Sequence, residues 1–190
     1  MIFSGYRCSS CGSEYEASGQ LYLCPKDQGC LDVVLDAERI RATVKPHKLI
    51  GPELETSHWR YLPLLPVDAA VARQLVTGTT LASVGWTPLL PLTWGGRRIL
   101  FKAEYLAPTS SFKDRGTEAM INLLVHQGAT RVIDDSSGNA GASVAAYAAR
   151  AGIEAEIFVP AYASPAKQAQ IAVYGATVRP IPGVRAAAKE

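Results

Sequence analysis

The chain has 190 residues, 48% of them hydrophobic, which is enough for one or two domains with buried cores. A formal net charge of +2 with 19% charged residues leaves no basic stripe, which argues against a nucleic-acid partner. Arg7 and Cys8 arrive before any apolar run develops, so the start does not read as a signal peptide.

All four cysteines, Cys8, Cys11, Cys24 and Cys30, fall near the N-terminus. Without a secretory signal, a metal site is favoured over disulfides. "CSSC" has the two-residue spacing that lets both thiolates reach one tetrahedral ion, whereas "CPKDQGC" puts five residues between its cysteines. The reading divides between one structural zinc on the four cysteines, a ribbon that has lost its metal, and simple packing of the cysteines. Residues 1–35 are therefore expected to form a zinc-ribbon-like unit, with short strands at Tyr22-Leu23 and Leu31 to Leu35. Residues 36–60 read as an extended connector, and "PVDAAVARQLV" (66–76) as a short helix after Pro66. Residues 74–96 carry no charge, but Gly78, Gly85, Pro88, Pro91, Gly95 and Gly96 interrupt them, and a membrane helix needs about 20 mainly apolar residues. They read as turns and short strands, and the protein as soluble and cytoplasmic.

From residue 98 the pattern becomes regular. "RILFKAEYL" predicts a strand, 112–127 a helix ended by Gly128, "TRVIDD" a strand, 139–151 a helix and "EAEIFVP" a strand. Ser164-Pro165 predicts the start of a helix that stops near Gly175, "ATVRPIP" a further strand, and "RAAAKE" the first turn of another helix. Strands alternating with helices of this length predict an α/β fold, a parallel sheet flanked by helices. The expected organisation is the 1–35 unit, a 36–97 segment of connector and first elements, and a 98–190 α/β domain.

Two loops carry chemistry. "DDSSGNAGAS" follows a strand and opens a helix, so backbone N–H groups beside Ser136, Ser137 and Asn139 form a site for a carboxylate, with Gly138 and Gly141 admitting a ligand to the backbone. The bland alternative is ordinary helix capping. In "APTSSFKDRGT", Lys113 sits against the positive end of a helix, which disfavours its charged form and leaves amine for attack on a carbonyl. Together the loops offer one cleft an amine and anion-binding donors.

"PTSSFKDRG" followed at this spacing by "SSGNAG" resembles the fold-type-II pyridoxal-phosphate enzymes. The Cys-bearing start, "WRYLPLLPV", "GWTPLL" and "GATVRPIPG" are most similar to the threonine synthases within that group. The resemblance implies that Lys113 holds pyridoxal phosphate covalently and later shuttles protons, and that Asn139 hydrogen-bonds the cofactor's 3-oxygen. Ser137, Gly138, Asn139 and Ala140 would hold the substrate carboxylate, and Phe112 would pack beside the cofactor. Asp114 and Arg115 are read as a local ion pair fixing the helix start. Three residues depart from the family pattern: Ser110 for the usual Gly, Ala140 for a common Thr, and Trp86 for a small or acidic residue. Family members are roughly twice as long, so the chain is expected to be an N-terminal part, an incomplete fold-type-II enzyme without the glycine-rich phosphate loop and a poor binder of the cofactor on its own. The implied reaction converts O-phosphohomoserine and water to threonine and phosphate, with a small amino-acid substrate, no nucleic acid or membrane, and a homodimer as the assembly. The rivals are a threonine or serine dehydratase, another β-replacement enzyme, and a catalytically silent assembly or zinc-binding module.

Overall fold

The computed structural model describes residues 2–16, 21–49, 56–66, 84–136 and 138–183. The predicted helix at 66–76, apart from Pro66, the final helical turn and Ser137 lie outside them. The chain divides into two units, Met1–Val76 and Thr77–Glu190. No helix among the described residues is long and apolar enough to cross a membrane.

In the first unit, β1 (Phe3–Cys8) is the middle strand of an antiparallel sheet, between β2 (Glu14–Tyr15) and β3 (Leu31–Leu35). Tyr22-Leu23 is not a strand; the sheet uses 14–15 instead. The expected extended connector holds helix α1 (Ala37–Thr43) and 3-10 turns at Pro46–Lys48 and His58–Leu64. Asp36 starts α1, its carboxylate accepting from the Arg39 N–H at 2.8 Å, with Glu38 in the first turn and Arg41 in the last to suit the helix dipole.

In the second unit, β4 (Leu89–Trp94) and β5 (Arg97–Lys102) form an antiparallel hairpin closed at Gly95-Gly96. The strand expected over 98–106 therefore stops at Lys102, residues 104–106 being a 3-10 turn, and it pairs with the hairpin instead of joining a parallel sheet. Helix α2 (Lys113–His126) follows. Then β6 (Arg131–Asp134), α3 (Asn139–Ala151), β7 (Glu154–Pro160), α4 (Pro165–Ala172) and β8 (Thr177–Ile181) alternate as the hydrophobic periodicity predicts. The three strands form a parallel sheet ordered β6-β7-β8.

Helix α3 is the hub of the core. It packs on β6, β7, α2 and α4, burying Ala142, Val144, Ala145, Tyr147 and Ala148 against Ile121, Val132, Ile157, Val159 and Ile171. Its small residues let the backbones approach, and Gly141 marks the tightest point. A Cβ there would lie 2.4 Å from the Ser136 carbonyl oxygen and 3.0 Å from Ile157 Cγ2. The sequence reading gave Gly141 to a ligand, but the neighbour it admits is the protein itself. Across the sheet, Glu156 on the central strand pairs with Arg131 of β6 and with Arg179 of β8 at 2.5 Å.

Gly141→Ala is expected to lower stability by about 1–3 kcal/mol, the usual cost of forcing a methyl into a filled core. Urea unfolding of the variant beside the parent measures this, with Ala140→Gly, at a partly exposed neighbouring position, as the comparison.

Candidate active site

Lys113 is the first residue of α2 and Asn139 the first residue of α3. What relates these two helix starts is a pair of buried acids. Asp114 is fully buried, and its carboxylate accepts from the Thr109 N–H at 2.7 Å, the Thr109 hydroxyl at 2.5 Å and the Ser143 hydroxyl at 2.6 Å. One turn along, the Glu118 carboxylate, also fully buried, accepts from the Val84 N–H at 2.8 Å and the Tyr147 hydroxyl at 3.5 Å. Both cross-helix bonds join residues 29 apart in sequence, 114 to 143 and 118 to 147. Equal offsets mean that α2 and α3 run parallel, with their N-termini at the same end. Burial pushes the Tyr147 phenol well above its ordinary range, and the carboxylates of Glu118 and Asp114 push it the same way.

The sequence reading paired Asp114 with Arg115. Instead, Arg115 turns to Glu104, with Nε 2.8 Å from Oε2 and Nη2 2.8 Å from Oε1, and donates to the Thr87 hydroxyl at 3.1 Å. The Thr87 hydroxyl donates to Glu104 at 2.5 Å, and Lys102 Nζ donates to the Thr87 carbonyl. This bidentate cluster ties the turn after β5 to the first turn of α2. Between them, Ser110 has φ +61°, the left-handed region that favours glycine, so a serine there is strained. Trp86 also has a positive φ, +35°.

Lys113 is exposed and forms no ion pair with any described residue. Its ammonium lies 4.6 Å from the ring centroid of Phe112, so Phe112 packs beside the amine. The Lys113 N–H donates to the Ser111 hydroxyl at 3.3 Å. At the other helix start Gly138 is the N-cap residue, with open space where a Cβ would be, and Asn139 is exposed. Asn139 Oδ1 accepts from Lys167 Nζ at 2.6 Å, which orients the amide and leaves Nδ2 unused by any described residue. By helix geometry the first backbone N–H groups of α3, those of Asn139 and Ala140 among them, have no carbonyl partner within the helix. Thus an amine, an amide and a set of N–H donors occupy helix starts at one end of the α2–α3 pair.

In the first unit, Cys8, Cys11 and Cys24 share a cluster with Asp27, their ligand atoms all within 4.8 Å of one another. Cys30, expected as the fourth member, is exposed and outside it. Sequence reasoning also missed Thr109, Ser143, Glu104 and Lys167. Only Asp27 had a local signal, since Cys24-Pro-Lys-Asp27 repeats the spacing of Cys8 and Cys11.

A family profile described as pyridoxal-phosphate dependent enzyme matches residues 80–190, more than half of the chain. Among curated proteins, the threonine synthase of Methanosarcina acetivorans is 34% identical over 183 residues, 93% of this chain and 42% of the relative. That of Methanocaldococcus jannaschii is 34% identical over 184 residues, 93% of this chain and 43% of the relative. The chain thus spans less than half the length of these relatives. Among solved structures, an O-acetylserine dependent cystathionine beta-synthase from Helicobacter pylori is similar with TM-score 0.51 and 27% identity, over 55% of this chain and 38% of that one.

The Glu104 cluster yields a pH test. Hydrogen bonds from Arg115 hold the Glu104 carboxyl down at about 2, from an ordinary value near 4.5, with Thr87 adding to the effect. A depressed carboxylate stabilises the fold above its unfolded pKa, and that contribution is lost as pH falls through the folded value. Stability should therefore decline between about pH 4.5 and 2, and Glu104→Gln should flatten that part of the profile. Thermal unfolding midpoints of both proteins across this range check it.

Proposed function

The chain belongs to the pyridoxal-phosphate dependent enzyme family, and from that premise we propose that it carries the lysine and carboxylate-binding loops of a threonine synthase-like site. The observation that carries the reading is the parallel α2–α3 pair, locked by Asp114 and Ser143, which sets Lys113 and Asn139 at helix starts on the same end. The residues present fit the cofactor. Lys113 offers an exposed amine, Asn139 an exposed amide whose Nδ2 has no partner among the described residues, and Gly138 an unobstructed backbone. When bound, pyridoxal phosphate supplies an electron sink.

The chain's own residues divide the remaining work. Lys113 would hold the cofactor through Nζ and afterwards carry protons at that atom, since an amine freed beside the reacting carbon is a ready base. Asn139 Nδ2 would donate to the cofactor's 3-oxygen while Lys167 keeps the amide from turning. The N–H groups at Ala140 and its neighbours, with Ser137 and Gly138, would bind the carboxylate of an amino-acid substrate, as a helix N-terminus favours. The reaction proposed is conversion of O-phosphohomoserine and water to threonine and phosphate, which the two threonine synthases at 34% identity support over a dehydratase.

Borohydride reduction of a full-length version loaded with pyridoxal phosphate, followed by peptide mapping, is expected to label Lys113. A label on Lys102 or Lys167 instead would remove the basis of the reading. In the same full-length version, Asn139→Ala should weaken cofactor binding by about 1.5–3 kcal/mol, the range for a hydrogen bond to a charged group, read from a titration of absorbance. Product analysis of the full-length version with O-phosphohomoserine separates the reactions, threonine supporting the synthase and a 2-oxo acid the dehydratase, while the 190-residue chain alone is expected to show no turnover.

A further inference from the structure

The first unit contains a group that the proposed reaction does not use. We infer that Cys8, Cys11, Cys24 and Asp27 form a structural zinc site of three thiolates and one carboxylate, with Cys30 outside it. Two loops of equal spacing carry the donors, Cys8 to Cys11 and Cys24 to Asp27, each pair separated by two residues. The five-residue gap between Cys24 and Cys30, too wide for a second knuckle half, stops being an anomaly once Asp27 takes the fourth place.

The distances suit a small tetrahedral ion. With metal–sulfur bonds near 2.3 Å and metal–oxygen bonds near 2.0 Å, tetrahedral angles put two sulfurs about 3.8 Å apart and a sulfur and an oxygen about 3.5 Å apart. Here Cys11 Sγ and Cys24 Sγ are 3.7 Å apart, and Cys8 Sγ lies 3.4 Å from Asp27 Oδ1. Three thiolates with a carboxylate select zinc over harder cations such as magnesium and calcium.

The surroundings are built for anionic sulfur and for a tight fit. The Ser10 and Cys11 N–H groups donate to Cys8 Sγ at 3.4 and 3.5 Å, which suits a thiolate at the head of a turn. Tyr15 Oη lies 2.9 Å from Cys24 Sγ, where its proton can support a second thiolate. The Gly29 N–H donates to Asp27 Oδ1 at 3.0 Å and orients that carboxylate. A Cβ on Gly29 would fall 2.7 Å from Ser10 Oγ, 2.9 Å from Cys8 Sγ and 3.0 Å from Asp27 Oδ1, so a larger residue would intrude on the cluster. Cys8 and Cys24 are buried, and the Cys24 loop closes on itself through Cys24 N to the Gly29 carbonyl at 2.9 Å and Gln28 N to the Cys24 carbonyl at 2.8 Å. Cys30 contributes its backbone: its carbonyl accepts from the Ser9 N–H at 3.0 Å, joining the two loops.

The test uses the 190-residue chain purified under reducing conditions. Elemental analysis is expected to find one zinc per chain, and cobalt substitution to give a tetrahedral spectrum with thiolate charge-transfer bands. Cys30→Ser should leave metal content and cobalt spectrum unchanged. Asp27→Ala should weaken zinc binding by about 10-fold or more in a chelator competition, the least expected when a ligand is lost, given what an outer-shell partner costs. Asp27→Cys should restore binding and strengthen the charge-transfer bands by one thiolate. A wild-type chain that takes up no zinc, a Cys30→Ser chain that loses it, or an Asp27→Ala chain that keeps wild-type affinity overturns the assignment.

Discussion

A buried carboxylate fixes the geometry on which the second unit depends. Asp114 has no access to solvent, and a carboxyl side chain in that position is tolerable only if its oxygens are satisfied. Thr109 supplies two donors and Ser143 a third, so the acid draws the loop before α2 and the first turns of α3 onto one point. Such hydrogen bonds to charge are the strong ones, worth about 1.5–3 kcal/mol each where both partners are held. Because the acid immediately follows Lys113 and the serine lies one turn after Asn139, satisfying Asp114 also determines where the amine and the amide stand. Glu118 repeats the arrangement one turn further on with Tyr147, turning a single anchor into a fixed helix orientation.

This division between buried and exposed polar groups has a functional sense. Asp114, Glu118, Ser143 and Asn122 are buried and consume their hydrogen bonds within the protein. Lys113 and Asn139 are exposed, the lysine ammonium lying beside the Phe112 ring while its backbone N–H donates to the Ser111 hydroxyl, and the Asn139 Oδ1 accepting from Lys167. On the proposed function, the groups that would meet the ligand are not spent on the scaffold, and the scaffold holds its shape without them. Rigid helices then present the reactive groups, which is how precision is gained at a site.

Much of the second unit was legible because its signals are local. The run from Arg131 to Ile181 alternates strands with an Ala-rich and a Pro-started helix, and the helices start at the Asn and Ser-Pro marks and end within three residues of a Gly. The lysine and asparagine stretches likewise fall at helix starts, as their local signals predict. What failed were pairings that depend on distant chain. "RILFKAEYL" has strand composition throughout, but its partner is the hairpin arm before it, and Ala103 to Leu106 turn away toward Arg115. Asp114 and Arg115 are neighbours of opposite charge, yet each finds better geometry elsewhere, with Ser143 and Glu104, and no spacing rule announces either. In the first unit, composition counted cysteines and so passed over the aspartate that stands at ligand spacing.

The strained residues lie along the same line of argument. Ser110 and Trp86 hold positive φ angles, at +61° and +35°, where a side chain costs on the order of 1–3 kcal/mol. Such strain persists only where the surroundings over-determine it. Ser110 stands between Thr109, whose N–H and hydroxyl are committed to Asp114, and Ser111, whose hydroxyl accepts from the Lys113 N–H. Trp86 precedes Thr87, which is held in the Glu104 cluster. In both cases the polar network fixes the flanking residue, and the one between absorbs the distortion. The carboxylates that orient the helix starts therefore also account for the backbone strain beside them, and the amine of Lys113 follows directly on the segment that bears it.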